Sequence, residues 1–152
     1  MTKKMAIIAT KGTLDMAYPP LILASTAAAL GWDVQIFFTF YGLQLHRKHL
    51  DGIRISPLAN PAMPMPVPMP VIVSVLPGME AMATMMMKDK MKKKGVASLE
   101  ELRSLCQEAD VKFIACQMTV DLFEFQTSEF IDGIEHGGAA TSMQFAGETH
   151  GC

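Results

Sequence analysis

The strongest constraint on the fold lies in the first forty residues. Met5 to Ala9 (MAIIA) is a short run of apolar and β-favouring side chains, closed by the polar loop TKGTLD. Apolar and small residues then fill Met16 to Leu30, and DVQIFFTF at 33–40 restores the strand pattern. Strand, helix and strand at this spacing form a parallel crossover unit, because parallel neighbours need a helix-length connection to return the chain to the same end of the sheet. Gly31 stands where a left-handed residue ends a helix. Pro19 and Pro20 lack the N–H that interior helical bonds use, so the regular helix is expected from about Tyr18, with both prolines in its first turn.

The pattern then breaks. Ile53 to Pro70 reads IRISPLANPAMPMPVPMP, whose alternating prolines exclude a helix interior and a central strand and favour an extended excursion. Val71 to Leu76 could form a strand, Pro77 and Gly78 a turn, and Met79 to Met91 a methionine-rich helix running into Lys92, Lys93 and Lys94. Ser98 with Glu101 three residues on marks a capping box, followed by Leu102, Leu105 and Cys106 on one face and an end near Ala109. Val111 to Ala115 is the next strand, Thr119 to Phe125 a helix, Gly133 to His136 a short last strand, and a terminal helix starts at about Gly137.

At 152 residues, half of them apolar, the chain can bury one core without metal or disulfide staples. One α/β domain over 1–152 is expected, with an extended Met/Pro-rich insertion at about 57–78 and a flexible tail at about 147–152. The net charge of −2 supplies no field for nucleic acid. Three cysteines, Cys106, Cys116 and Cys152, form neither a CxxC pair nor a disulfide framework and read as reduced thiols of a cytoplasm. The apolar run after Lys3 and Lys4 is too brief for a signal-peptide core.

Cys116 is the candidate with chemistry. It stands at the C-terminal end of a parallel strand, the edge at which open α/β sheets bind ligands, and a helix start nearby would favour a thiolate. A free cysteine filling a core position explains the same placement. Cys106, on the apolar face of the capped helix, reads as packing; Cys152, beside His150 in the tail, reads as exposed. His46, His49, His136 and His150 lack zinc spacing and read as surface residues, so no metal is expected. The loop after the first strand has only Gly12 where a dinucleotide fingerprint needs three glycines, and no cofactor is expected. Gly137 and Gly138 could admit an anion or simply make a tight turn. Pro64, Pro66, Pro68, Pro70, Pro77, Gly78 and Glu80 interrupt any run of bilayer length, so the Met/Pro segment reads as a flap, a subunit interface or a partner site.

Taken in order, KGTLD, IFFTFYGL, PMPVPMP, LPGMEAMAT, GVASLEEL, ACQMTVD and FIDGIEHGGAAT resemble the DsrE/DsrF/DsrH-like family in its DsrE2-type branch, from about residue 5 to residue 147. The resemblance implies a Rossmann-like three-layer α/β/α domain with a mostly parallel sheet, usually in homo-oligomers. It also implies sulfur trafficking, with a cysteine carrying sulfane sulfur as a persulfide between rhodanese-like and TusA-like proteins. The family's ACxM cysteine corresponds to Cys116. Thr119 and Val120 replace the serine or methionine pair common in relatives, so the resemblance does not supply the donors around the sulfur. The expected role is a soluble, cytoplasmic sulfur carrier rather than an enzyme turning over a small molecule. A non-catalytic assembly subunit and a thiol peroxidase are the alternatives.

Overall fold

The computed structural model describes residues 2–55, 70, 72 and 75–149. Four strands, β1 (Lys4–Ala9), β2 (Asp33–Phe38), β3 (Lys112–Cys116) and β4 (Ile134–Gly137), form an all-parallel sheet in sequential order. The helices are α1 (Leu14–Ala29), α2 (Met79–Lys93), α3 (Leu99–Glu108), α4 (Gln117–Leu122) and α5 (Ala139–Ala146), with a 3-10 helix over Phe40–His46. Crossovers between sequential neighbours deliver α1 and α3 to the same face of the sheet, where they pack on one another.

Register and alternation decide what each face carries. Ile36 lies opposite Ile7 and Phe113, and Phe38 opposite Ala9 and Ala115, so Val34, Ile36, Phe38, Phe113 and Ala115 share the α1/α3 face and are almost fully buried. The Cys106 thiol donates to the Leu21 carbonyl at 3.3 Å, fastening α3 to α1. Ile114 and Cys116 point to the other face and stand outside the main core cluster. There α5 packs on β1 and β4, completing a Rossmann-like three-layer α/β/α arrangement. Lys4 ties that layer down by pairing with Glu148 and lying over the Phe145 ring.

Several boundaries differ from the sequence reading. α1 starts at Leu14, not at about Tyr18, and both prolines lie inside it. Leu14 and Ala17 are buried, and the Leu14 N–H donates to the Arg54 carbonyl at 2.7 Å, so packing extends the helix N-terminally despite two missing donors. β2 stops at Phe38 because Phe40 turns left-handed, with φ of 50°, and opens the 3-10 helix. The capping box at Ser98 and Glu101 is present in both directions. The face it starts, however, buries Leu99, Leu102, Arg103 and Cys106, while Leu105 is 51% exposed; the helical period of 3.6 carries Leu105 round to solvent. The possible strand at Val71–Leu76 lies mostly outside the described residues, and Ile72, Val75 and Leu76 are in no strand. Most of the Met/Pro insertion, His150 and Cys152 lie outside them altogether.

Candidate functional site

Cys116 ends β3 and caps α4 with no intervening loop. It is only 5% exposed, yet its surroundings are polar. The fully buried Thr119, in the first turn of α4, and Thr39, the residue after β2, bring hydroxyls to the sulfur; the two oxygens are 3.2 Å apart. The Phe40 N–H donates to Thr119 Oγ1 at 3.3 Å. Burial pushes the Cys116 thiol up, but the Thr119 hydroxyl and N–H, the Thr39 hydroxyl and the Met118 N–H together outweigh it and hold the thiol below its ordinary value. The helix start proposed from sequence is therefore one contributor, and the β2 end is another.

Two glycines place that β2 end. A side chain at Gly42 would bring its Cβ within 2.2 Å of the Ala9 carbonyl oxygen, and one at Gly12 within 2.5 Å of the Tyr41 oxygen. Their bareness lets the 3-10 helix lie against the ends of β1 and its following loop, which fixes Thr39 and Phe40. Beyond the hydroxyls, the same segments continue into an aromatic cluster: Phe40 meets Phe123 edge-on at 5.9 Å, and Tyr41 stacks on Phe123 at 5.6 Å. On the β4 side, Gly137 lies opposite Cys116, and its missing Cβ would stand 3.1 Å from Ile114 Cγ2. Its close approach to the Ile114 side chain of β3 accounts for this glycine. His136 Nδ1 is 3.0 Å from Gln117 Oε1, and the Gln117 amide donates to Asp121 at 2.8 Å.

The other candidates separate from this site. Cys106 is fully buried, and desolvation pushes its thiol up to about 11. His46 is not a surface residue: it is fully buried, with Phe38, Phe130 and Phe113 at ring distances of 4.2, 5.7 and 6.0 Å. Neither ring nitrogen has a hydrogen-bond partner among the described residues. Burial, aided by the charge of Arg103, lowers its pKa to about 3. Its identity as a polar residue concealed its place in the core, which only the docking of the 3-10 helix creates. His49 and His136 are exposed, and among the described residues no three His, Cys, Asp or Glu side chains converge as a metal site. Sequence reasoning missed Thr39 and left the part of Thr119 open. A signal existed: once β2 is placed beside β3, the register of Phe38 with Ala115 brings Thr39 next to Cys116.

The model of the DsrE/DsrF/DrsH-like family matches residues 1–150. The chain belongs to this family. It is 65% identical to the sulfur carrier protein DsrE2 of Allochromatium vinosum, over 99% of this chain and 96% of that protein. It is also 32% identical to the uncharacterized protein YrkE of Bacillus subtilis, over 97% and 93% of the two chains. The crystal structure of the ychN protein from E. coli shares the fold, with a TM-score of 0.60 at 14% identity and coverage of 99% and 96%. Among the described residues, no helix is long and apolar enough to cross a membrane.

Proposed function

We propose that the chain is a cytoplasmic sulfur carrier that relays sulfane sulfur as a persulfide of Cys116. The observation that carries this reading is a thiol held below its ordinary value by hydroxyl and N–H donors at the C-terminal edge of a parallel sheet. The similarity to a protein named as a sulfur carrier supports sulfur as the cargo of this thiol. In the loading step the Cys116 thiolate attacks the outer sulfur of a donor persulfide, forming a new S–S bond while the donor's own S–S bond breaks and its thiolate leaves. Unloading repeats the displacement in reverse sense, with an acceptor thiolate attacking the outer sulfur and Cys116 leaving. No net oxidation occurs in either step, so no redox cofactor is needed. Rhodanese-like donors and TusA-like acceptors fit this exchange, which runs between protein thiols.

A homo-oligomer belongs to the same proposal. On α2, Met82, Met85 and Met86 are 56%, 71% and 68% exposed, an apolar strip that a second subunit would cover. Light scattering at micromolar concentration should give a multiple of the chain mass, and a monomer would remove this part of the proposal. The carrier reading itself is tested by intact mass after exposure to polysulfide, or to thiosulfate with a rhodanese. A gain of about one sulfur mapped to Cys116 is expected. Loading that survives Cys116→Ser and disappears with Cys106→Ser or Cys152→Ser would show that another thiol is the carrier.

A further inference from the structure

We infer that the Thr39–Phe40 turn, acting through Thr119, is the positioning device of the reactive sulfur, and that it works mainly when sulfur leaves Cys116. This rests on the carrier reading of Cys116. Thr39 and Thr119 carry one hydroxyl proton each, and their oxygens lie 3.2 Å apart, so one proton is used in the bond between them. Thr119 Oγ1 also accepts the Phe40 N–H, which can only donate. The second hydroxyl proton therefore has no acceptor within the pair. Thr119 is fully buried, and the acceptor beside the pair is the Cys116 sulfur: Thr119 stands three residues on in the first turn of α4, and the register of Phe38 with Ala115 sets Thr39 next to Cys116. The arrangement is directional whichever hydroxyl ends the chain: Phe40 N–H to Thr119, one proton between the threonines, and one proton left over beside the sulfur.

Phe40 shows that this direction is built in. Its φ of 50° places a bulky L-residue in the left-handed region, where phenylalanine is rare, and that conformation aims its N–H at Thr119. The two close glycine contacts, Gly42 against Ala9 and Gly12 against Tyr41, hold the turn in place from behind.

The consequence for transfer follows from where charge sits. In the loaded protein the inner sulfur of Cys116–S–SH is uncharged and accepts a hydrogen bond only weakly. When an acceptor thiolate attacks the outer sulfur, an acceptor S–S bond forms, the Cys116 S–S bond breaks, and the electron pair of that bond comes to rest on the Cys116 sulfur. A hydroxyl already aimed there strengthens its bond as the charge develops, so it stabilises the transition state more than the loaded state. Thr119 and Thr39 are thus positioning residues for discharge.

The test uses Thr119→Val, Thr119→Ser and Thr39→Val in the full chain. Three quantities are followed: the pH midpoint of Cys116 alkylation located by mass, the rate at which preloaded Cys116 gives sulfur to a small thiol, and the melting temperature. Thr119→Val should raise the alkylation midpoint by about one pH unit and slow discharge by less than about tenfold, because only part of the charge has reached the sulfur in the transition state. Thr119→Ser should restore both. Thr39→Val, at a less buried position, should move the midpoint in the same direction and decides the matter if Thr119→Val does not fold. An unchanged midpoint and discharge rate in a folded valine variant would overturn the inference and make both threonines structural. Failure of the wild-type chain to take up sulfur would instead remove the carrier reading, while the alkylation midpoints would still report on the turn.

Discussion

Cys116 and Cys106 are both buried, and their surroundings push their thiols in opposite directions. Cys106 meets apolar side chains and one carbonyl acceptor, which disfavours the thiolate; Cys116 meets donors, which favour it. With the Cys106 thiol raised to about 11, only about 1% of it is ionised at pH 9, so alkylation of the folded protein should spare it until the chain unfolds. Cys116 should titrate below an ordinary thiol, and a midpoint at or above that of a free cysteine peptide measured alongside would contradict the donor geometry. The sign for stability follows: a lowered thiol pKa favours the fold fully above the unfolded value, and the gain is lost as pH falls through the folded value. Cys116→Ser should abolish sulfur loading with little change in melting temperature, since the new hydroxyl meets those of Thr39 and Thr119 rather than an apolar wall. The place of Cys116 was legible in the sequence because strand alternation and the following helix start are local signals. Thr39 was not, because it stands 80 residues from Thr119 and only sheet register joins them.

The elements show the same division between local and tertiary causes. The capping box of α3 was readable because Ser98 and Glu101 satisfy orphan N–H groups within a single turn. Ser98→Ala should cost about 1 kcal/mol, measurable as a lower urea midpoint with an unchanged slope. The start of α1 was misread because proline propensity is local, whereas the burial of Leu14 and its bond to Arg54 are not. Gly42 was legible only as part of a motif; its physical reason is the Ala9 carbonyl, which a Cβ would strike. Gly42→Ala should therefore lower the melting temperature and also raise the alkylation midpoint of Cys116, because the 3-10 helix would have to move and carry Thr39 and Phe40 with it. Gly31→Ala is the control: φ of 82° makes it strained, with nothing near its Cβ, and it lies at the end of α1. It should lower stability and leave Cys116 chemistry unchanged. Equal effects of the two substitutions on alkylation would refute the claim that the 3-10 helix positions the site.

At the scale of the whole molecule, His46 decides how the fold responds to acid. It sits where the sheet, the 3-10 helix and the segment before β4 meet: its ring packs on Phe38, Phe113 and Phe130, and its carbonyl accepts the Ile131 N–H at 2.8 Å. The largely buried Arg103 donates to the Leu45 and Arg47 carbonyls at 2.7 and 2.6 Å, so a second positive charge beside it is disfavoured as well as desolvated. A histidine with pKa lowered from 6.5 to about 3 binds its proton in the unfolded chain first. Stability from this group is complete above about pH 6.5 and falls as pH drops from there to about 3, at up to about 1.4 kcal/mol per pH unit. Against a total of roughly 5–15 kcal/mol for an ordinary domain, that slope is large enough to dominate acid unfolding. The exposed pair of Lys93 and Asp89, by contrast, contributes little. His46→Phe keeps an aromatic ring among the three phenylalanines and removes both unpartnered nitrogens, so it should flatten the loss of stability between pH 6.5 and 4. Urea midpoints at pH 7, 5.5 and 4 for the two proteins measure this directly. Parallel declines in the two proteins would mean that acid acts through other groups and that His46 is protonated at no cost to the fold.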